Sequence, residues 1–134
     1  MSVLVDTSVW IEFFRPKPPI DISPLDLLIR EREVTTCRPI IAEVLSGKMS
    51  SGTRSTVSRA LNALTLVDLD WNIGSSWEKV IDLASLAHQK GIGIPGLVDR
   101  MILVSAQESG NQLWTLEAKL QKLAGLAGVG LFPI

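Results

Sequence analysis

The chain has 134 residues, of which 46% are apolar and 20% charged, with a mean hydropathy of +0.29. These values describe a packed globular protein with a sizeable core and exclude a disordered chain. With 13 basic and 14 acidic side chains the formal charge is −1, which excludes a globally basic nucleic-acid binder but not a local basic patch.

No apolar run approaches the roughly 18 residues of a membrane helix, and no secretory leader is visible. Cys37 is the sole cysteine, so neither an internal disulfide nor a cysteine metal site is expected. A cytoplasmic protein with no membrane contact is the expectation, and the length suits one domain over 1–134.

In chain order, Val3, Leu4 and Val5 form an apolar run suited to a buried strand. A short helix should follow from Thr7 or Ser8, whose hydroxyls can cap it, and end at RPKPP. Ser23 and Pro24 read as an N-cap and first helical residue, followed by the apolar Leu25, Leu27, Leu28 and Ile29. Val34 to Cys37 reads as a second strand. Pro39 opens a helix with an apolar stripe of Ile40, Ile41, Val44 and Leu45; SSG at 50–52 breaks it, and RSTVSRALNAL makes another helix.

Leu66 to Leu69 resembles a third strand. From Ser75 to His88, Trp77, Val80, Ile81, Ala84 and Ala87 keep helical spacing. GIGIPG is a loop, and LVDRMILVSAQ a helix apolar around most of its surface. Leu113 to Leu116 reads as the fourth strand, followed by a helix to about Ala124, and Val129 to Phe132 as a last strand. Trp10, Trp77 and Trp114 sit in apolar patterns that suit the core; Trp71 lies at a strand–helix junction. Strands separated by helices argue for βαβ units around a parallel sheet covered on both faces.

Open parallel sheets carry functional groups beyond the carboxyl ends of their strands. Asp6 stands there after the first strand and Glu117 just past the fourth. Asp99 lies near the start of the apolar helix, and Glu43 lies away from the apolar stripe of its own helix. Each has a structural explanation: Asp6 can cap a helix, Asp99 and Glu117 suit helix N-termini, and Glu43 can be a solvated surface residue. Should the four converge to about 5 Å, each ionised pair would repel by about 3 kcal/mol at an effective dielectric of 20. Such a cluster raises its own proton affinity or recruits a cation, and all-oxygen ligands favour Mg²⁺ or Mn²⁺ over zinc.

VDTSVWIEFF, IIAEVLSG, LVDRMILVSA and LWTLEAKLQKLA together resemble the PIN domain in order, spacing and setting, across essentially the whole chain. The length and the position of the first motif look most like VapC-type toxins of type II toxin–antitoxin systems. The resemblance implies a three-layer α/β/α sandwich with a mainly parallel sheet of four to five strands. It also implies a Mg²⁺- or Mn²⁺-dependent endoribonuclease. Asp6, Glu43 and Asp99 match three acidic positions of the family pocket. Glu117 stands where the family usually has aspartate, and Lys119 where many relatives have a further acid. Thr115 matches a hydroxyl that supports the pocket, and Ser8 is expected to act likewise beside Asp6.

By the same resemblance the chain should pair with a small VapB-type antitoxin whose tail enters the acidic pocket, and should dimerise. Helices around 24–32 and 39–64 are the expected antitoxin groove. Arg15, Lys17, Lys48 and Arg54 are the candidate RNA phosphate contacts. Cleavage by paired histidines is excluded because His88 is the only histidine. An aspartyl-nucleophile phosphatase would want a second acid where Ser8 stands, and a receiver domain an acidic pair and a late lysine that the chain lacks. The competing reading is a catalytically weakened PIN-like module that binds RNA or protein, and Glu117 is the residue that sustains it.

Overall fold

The computed structural model describes residues 2–17, 20–21 and 23–133. Its elements run β1 (Val3–Val5), α1 (Thr7–Phe13), α2 (Ser23–Arg30), β2 (Val34–Thr36), α3 (Arg38–Leu45), α4 (Ser51–Asn62), β3 (Thr65–Leu66), α5 (Gly74–Gln89), α6 (Leu97–Ser109), β4 (Gln112–Trp114) and α7 (Ala118–Leu126). The four strands form one parallel sheet in the order β3-β2-β1-β4. β1 and β2 are buried along their whole length, as strands covered on both faces must be. The parallel α/β architecture expected from the sequence is thus the one observed.

That strand order positions the site. From β1 the chain builds outward through β2 to β3, then returns to place β4 on the other side of β1. The direction of winding reverses between β1 and β4, and a crevice at the carboxyl ends of such neighbouring strands is the usual place for a ligand in an open parallel sheet. Val3, Leu4, Val5 and Leu113 fill the centre of the core at 0–1% exposure, packed with Ile40, Ile102, Leu103 and Leu120.

Several expected boundaries move. The first helix is capped by Asp6 itself, whose side chain accepts from the Ser8 amide, rather than by Thr7 or Ser8. Cys37 leaves β2 to become the N-cap of α3. Ser50 caps α4, so the SSG stretch starts that helix instead of breaking the previous one. β3 is only two residues long and exposed, since Thr65 and Leu66 alone have partners on β2. The expected last strand is a single bridge between Leu113 and Leu131. Trp10 and Trp114 are buried, but Trp77 is 38% exposed, its indole N–H donating to the Trp71 carbonyl at the start of α5. Leu83, not Ile81, completes the buried stripe of α5 with Val80 and Ala87.

Candidate active site

Asp6 follows β1 directly and is 1% exposed. Its backbone N–H continues the sheet by donating to the Trp114 carbonyl at 2.8 Å. The two carboxylate oxygens have different surroundings. Oδ2 accepts from Ser8 Oγ at 2.7 Å, from Thr115 Oγ1 at 2.8 Å and, more weakly, from the Ser8 amide at 3.4 Å. Oδ1 is buried and takes no hydrogen bond from any described residue. The hydroxyls also tie down the segment after β4: the Leu116 amide donates to Ser8 Oγ and the Glu117 amide to Thr115 Oγ1. Ser8 and Thr115 therefore clamp one edge of Asp6 and align the chain on its far side.

Glu43 and Asp99 complete the arrangement. One carboxylate oxygen each from Asp6, Glu43 and Asp99 lies within 4.8 Å of the others. Glu43 sits on α3, half-buried, and its Oε1 accepts from Thr7 Oγ1 at 2.7 Å. The sequence marks Thr7 only as a possible cap; a second hydroxyl beside Ser8 in the first motif is the one signal of its support of Glu43. Asp99 lies in the first turn of α6, which Gly96 opens. Its neighbour Arg100 fixes that turn, donating from Nε to the Pro95 carbonyl and from a terminal nitrogen to the Val80 carbonyl, both at 3.0 Å. No local pattern around Arg100 marks this brace.

Asp99 takes no hydrogen bond from any described residue. Burial is the main reason its pKa rises from 3.8 to about 6, with repulsion from Asp6, Glu43 and Glu117 adding to the rise. Glu117 is exposed at the N-cap of α7, outside the group of three oxygens, though close enough for its charge to act on Asp99.

The donor set fits a hard divalent cation. Ligands of an octahedral Mg²⁺ are about 3.0 Å apart when adjacent and about 4.2 Å when opposite, so three oxygens within 4.8 Å of one another would have to draw in around a bound cation. The unpartnered Asp6 Oδ1 supplies a buried lone pair that no described residue satisfies.

The predicted phosphate contacts are exposed residues of α4 and of the segments that follow α1 and α3. Arg15 and Lys17 follow α1, where Arg15 pairs with Glu12 at 3.4 Å. Lys48 is exposed after α3, and Arg54 on α4 reaches the Gly47 carbonyl at 3.4 Å. Among the described residues none of the four is bonded to an acidic residue of the cluster. His88 is exposed in the last turn of α5, away from any such role.

A parallel sheet with an acidic pocket at its winding reversal defines the chain as a small α/β protein with a candidate cation site. The PIN domain family model matches residues 3–126, and the chain belongs to that family. Among curated proteins it is 26% identical over 129 residues to VapC ribonuclease Mb1587 of Mycobacterium bovis, covering 95% of each chain. The figures are the same for ribonuclease VapC11 of Mycobacterium tuberculosis. Among solved structures, FitAcB from Neisseria gonorrhoeae superposes with a TM-score of 0.69 at 19% identity, over 97% of this chain and 96% of that one. VapBC2 from Rickettsia felis, bound to a promoter DNA fragment, gives 0.69 at 20% identity over 91% and 92%. No described helix is long and apolar enough to cross a membrane.

Proposed function

We propose that this chain is a Mg²⁺- or Mn²⁺-dependent endoribonuclease, acting in the cytoplasm as the toxin of a VapBC-type toxin–antitoxin module. One observation carries the reading: three carboxylates meet at the end of β1, and the buried Asp6 Oδ1 has no hydrogen-bond partner among the described residues. The ribonuclease names of relatives aligned over 95% of the chain support it.

Asp6, Glu43 and Asp99 would hold the cation, with Glu117 at the rim, joining through water or not at all. A divalent cation held there supplies the charge that acidifies an attacking water and offsets the charge developing on the phosphate. Ser8 and Thr115 occupy Asp6 Oδ2 and thereby fix the plane of its carboxylate, leaving Oδ1 to the cation. Thr7 restrains Glu43 in the same way. A proton on Asp99 competes with the cation, so the working form of the site is the fully ionised one.

The antitoxin is the expected protein partner. A concave surface of about 540 Å³ lies among Trp10 and Phe13 of α1 and Phe14 just after it, Ile29 of α2, and Ala60 of α4 with Ala63 just after it. Its apolar lining suits an amphipathic antitoxin helix, and α1 joins α2 and α4 in forming it. A dimer of the whole single-domain chain is part of the same reading.

The test is cleavage of a panel of structured RNAs with Mg²⁺, Mn²⁺ or EDTA. Metal-dependent cuts that vanish in Asp6→Asn are the expected result. The position of Glu117 outside the three-carboxylate group favours one competing reading, a weakened binding module. A wild type that binds RNA, fails to bind metal and cuts nothing would establish that module instead.

A further inference from the structure

We propose that Lys119 is a substrate-positioning residue whose ammonium contacts a backbone phosphate of the RNA on the α6–α7 side of the acidic cluster. The inference rests on the ribonuclease reading and deepens it. Lys119 is the second residue of α7, directly after the segment in which the Thr115 hydroxyl donates to Asp6. Its stem lies across Gly93 in the loop before α6, so close that a Cβ there would stand 2.8 Å from Lys119 Cε and 3.1 Å from Cδ. That loop ends at Gly96, the N-cap of α6, three residues before Asp99. The lysine thus crosses the seam between the two segments that support Asp6 and present Asp99, and packing against a residue without a side chain holds it there.

Structural needs do not account for a cation at this place. The first turn of a helix is the end where the helix dipole disfavours positive charge. Lys119 is exposed and forms no ion pair or hydrogen bond with any described residue. Glu117, two positions earlier, does not share its helix face. A pocket surrounded by Asp6, Glu43, Asp99 and Glu117 must nevertheless admit a polyanion, and a cation bound among the first three leaves flanking phosphates unneutralised. Lys119 is placed to meet one of them.

The test is fluorescence anisotropy with a labelled random-sequence pool of single-stranded RNA, with Ca²⁺ in place of the catalytic metal, across a salt series. One phosphate contact contributes about 0.7 to the slope of log affinity against log salt for single strands, so Lys119→Met should lower the slope by about 0.7. Between about 50 and about 200 mM salt the wild type's advantage would then shrink about 2.6-fold. Lys119→Arg should keep the slope. Gly93→Ala should displace the stem and weaken binding without unfolding the chain, because its methyl meets only the flexible end of a side chain. Lys79→Met, which removes the partner of Glu108 at the opposite end of α6 from Asp99, should leave the slope unchanged. In metal-supported cleavage of the pool, Lys119→Met should raise KM and leave kcat nearly unchanged. An unchanged salt slope in Lys119→Met overturns the lysine's role while the nuclease reading stands. A wild type that neither binds nor cuts the pool overturns both.

Discussion

Asp99→Asn should make the metal-free protein more stable. The oxygens of Asp6, Glu43 and Asp99 lie within 4.8 Å of one another, and at that separation two unit charges repel by about 3 kcal/mol at an effective dielectric of 20. Asp99 is half-buried at an open mouth, where solvent screens the interaction, so about 1 kcal/mol is the expected gain. For a chain of this size that is a rise of roughly 3–5 °C in Tm. The sign follows from linkage. Burial and the neighbouring carboxylates raise the Asp99 pKa from 3.8 to about 6, so the folded state holds this proton more tightly than the unfolded chain. The resulting stabilisation is complete below about pH 4 and is lost as pH rises through about 6. The advantage of Asn over Asp should therefore grow across that window and level off above it. Thermal melts in EDTA from pH 4 to pH 8 measure it. Saturating Mn²⁺ should reverse the order, because a ligand at 100 times its Kd stabilises the wild type by about 2.7 kcal/mol and the variant far less. A lower Tm for metal-free Asp99→Asn at pH 7.5, or a difference independent of pH, would refute the electrostatic account of the cluster.

Thr115→Val removes a donor to a buried carboxylate at nearly constant volume and should cost about 1.5–3 kcal/mol in urea unfolding, whereas Thr115→Ser should cost much less. In calorimetric titration with Mn²⁺, Glu43→Gln should weaken binding at least about tenfold and Glu117→Gln much less, since only Glu43 belongs to the three-oxygen group; equal losses would place Glu117 among the direct ligands. Cys37 is fully buried, and that burial pushes its thiol up to about 12, so a thiol reagent at pH 8 should modify it only as the protein unfolds. Gly110 ends α6 at φ +70, and Gly110→Ala should destabilise by about 1–2 kcal/mol in the same urea assay.

The elements legible in the sequence are those whose local pattern and tertiary setting agree. Val3 to Val5 reads as a buried strand because nothing but burial on both faces accounts for three apolar residues in succession. Leu66 to Leu69 misleads because the pattern continues after the pairing stops: β2 offers partners to Thr65 and Leu66, and the chain then leaves the sheet at Val67, whose amide still reaches Thr36. Trp77 follows the helical spacing of a core residue yet lies beside Trp71, since α5 begins before it meets the core. At the site, Asp6 announces itself as a charge at the end of an apolar strand. Glu43 and Asp99 lie 37 and 93 positions further along. Their convergence depends on the chain crossing back to set β4 beside β1, which no local pattern encodes, and only the resemblance linked them beforehand.

The structural explanation of Asp6 and its proposed function are complementary, because they belong to different oxygens. Oδ2 does the work of a helix cap and a sheet-edge tie, accepting from Ser8 and Thr115. A cap alone needs no more than one acceptor, which serine or asparagine supplies. Oδ1 is then a buried acceptor with no donor among the described residues, a group that costs about 1–3 kcal/mol when left unsatisfied. Two further carboxylates beside it, one with its proton affinity raised, make the corner worse for stability. An unbound fold gains nothing from that arrangement. A divalent cation held at this corner would offset all of it at once, by taking Oδ1 as a ligand, screening the repulsion and displacing the proton from Asp99. The destabilised corner and the proposed metal chemistry are therefore two consequences of one placement of charge.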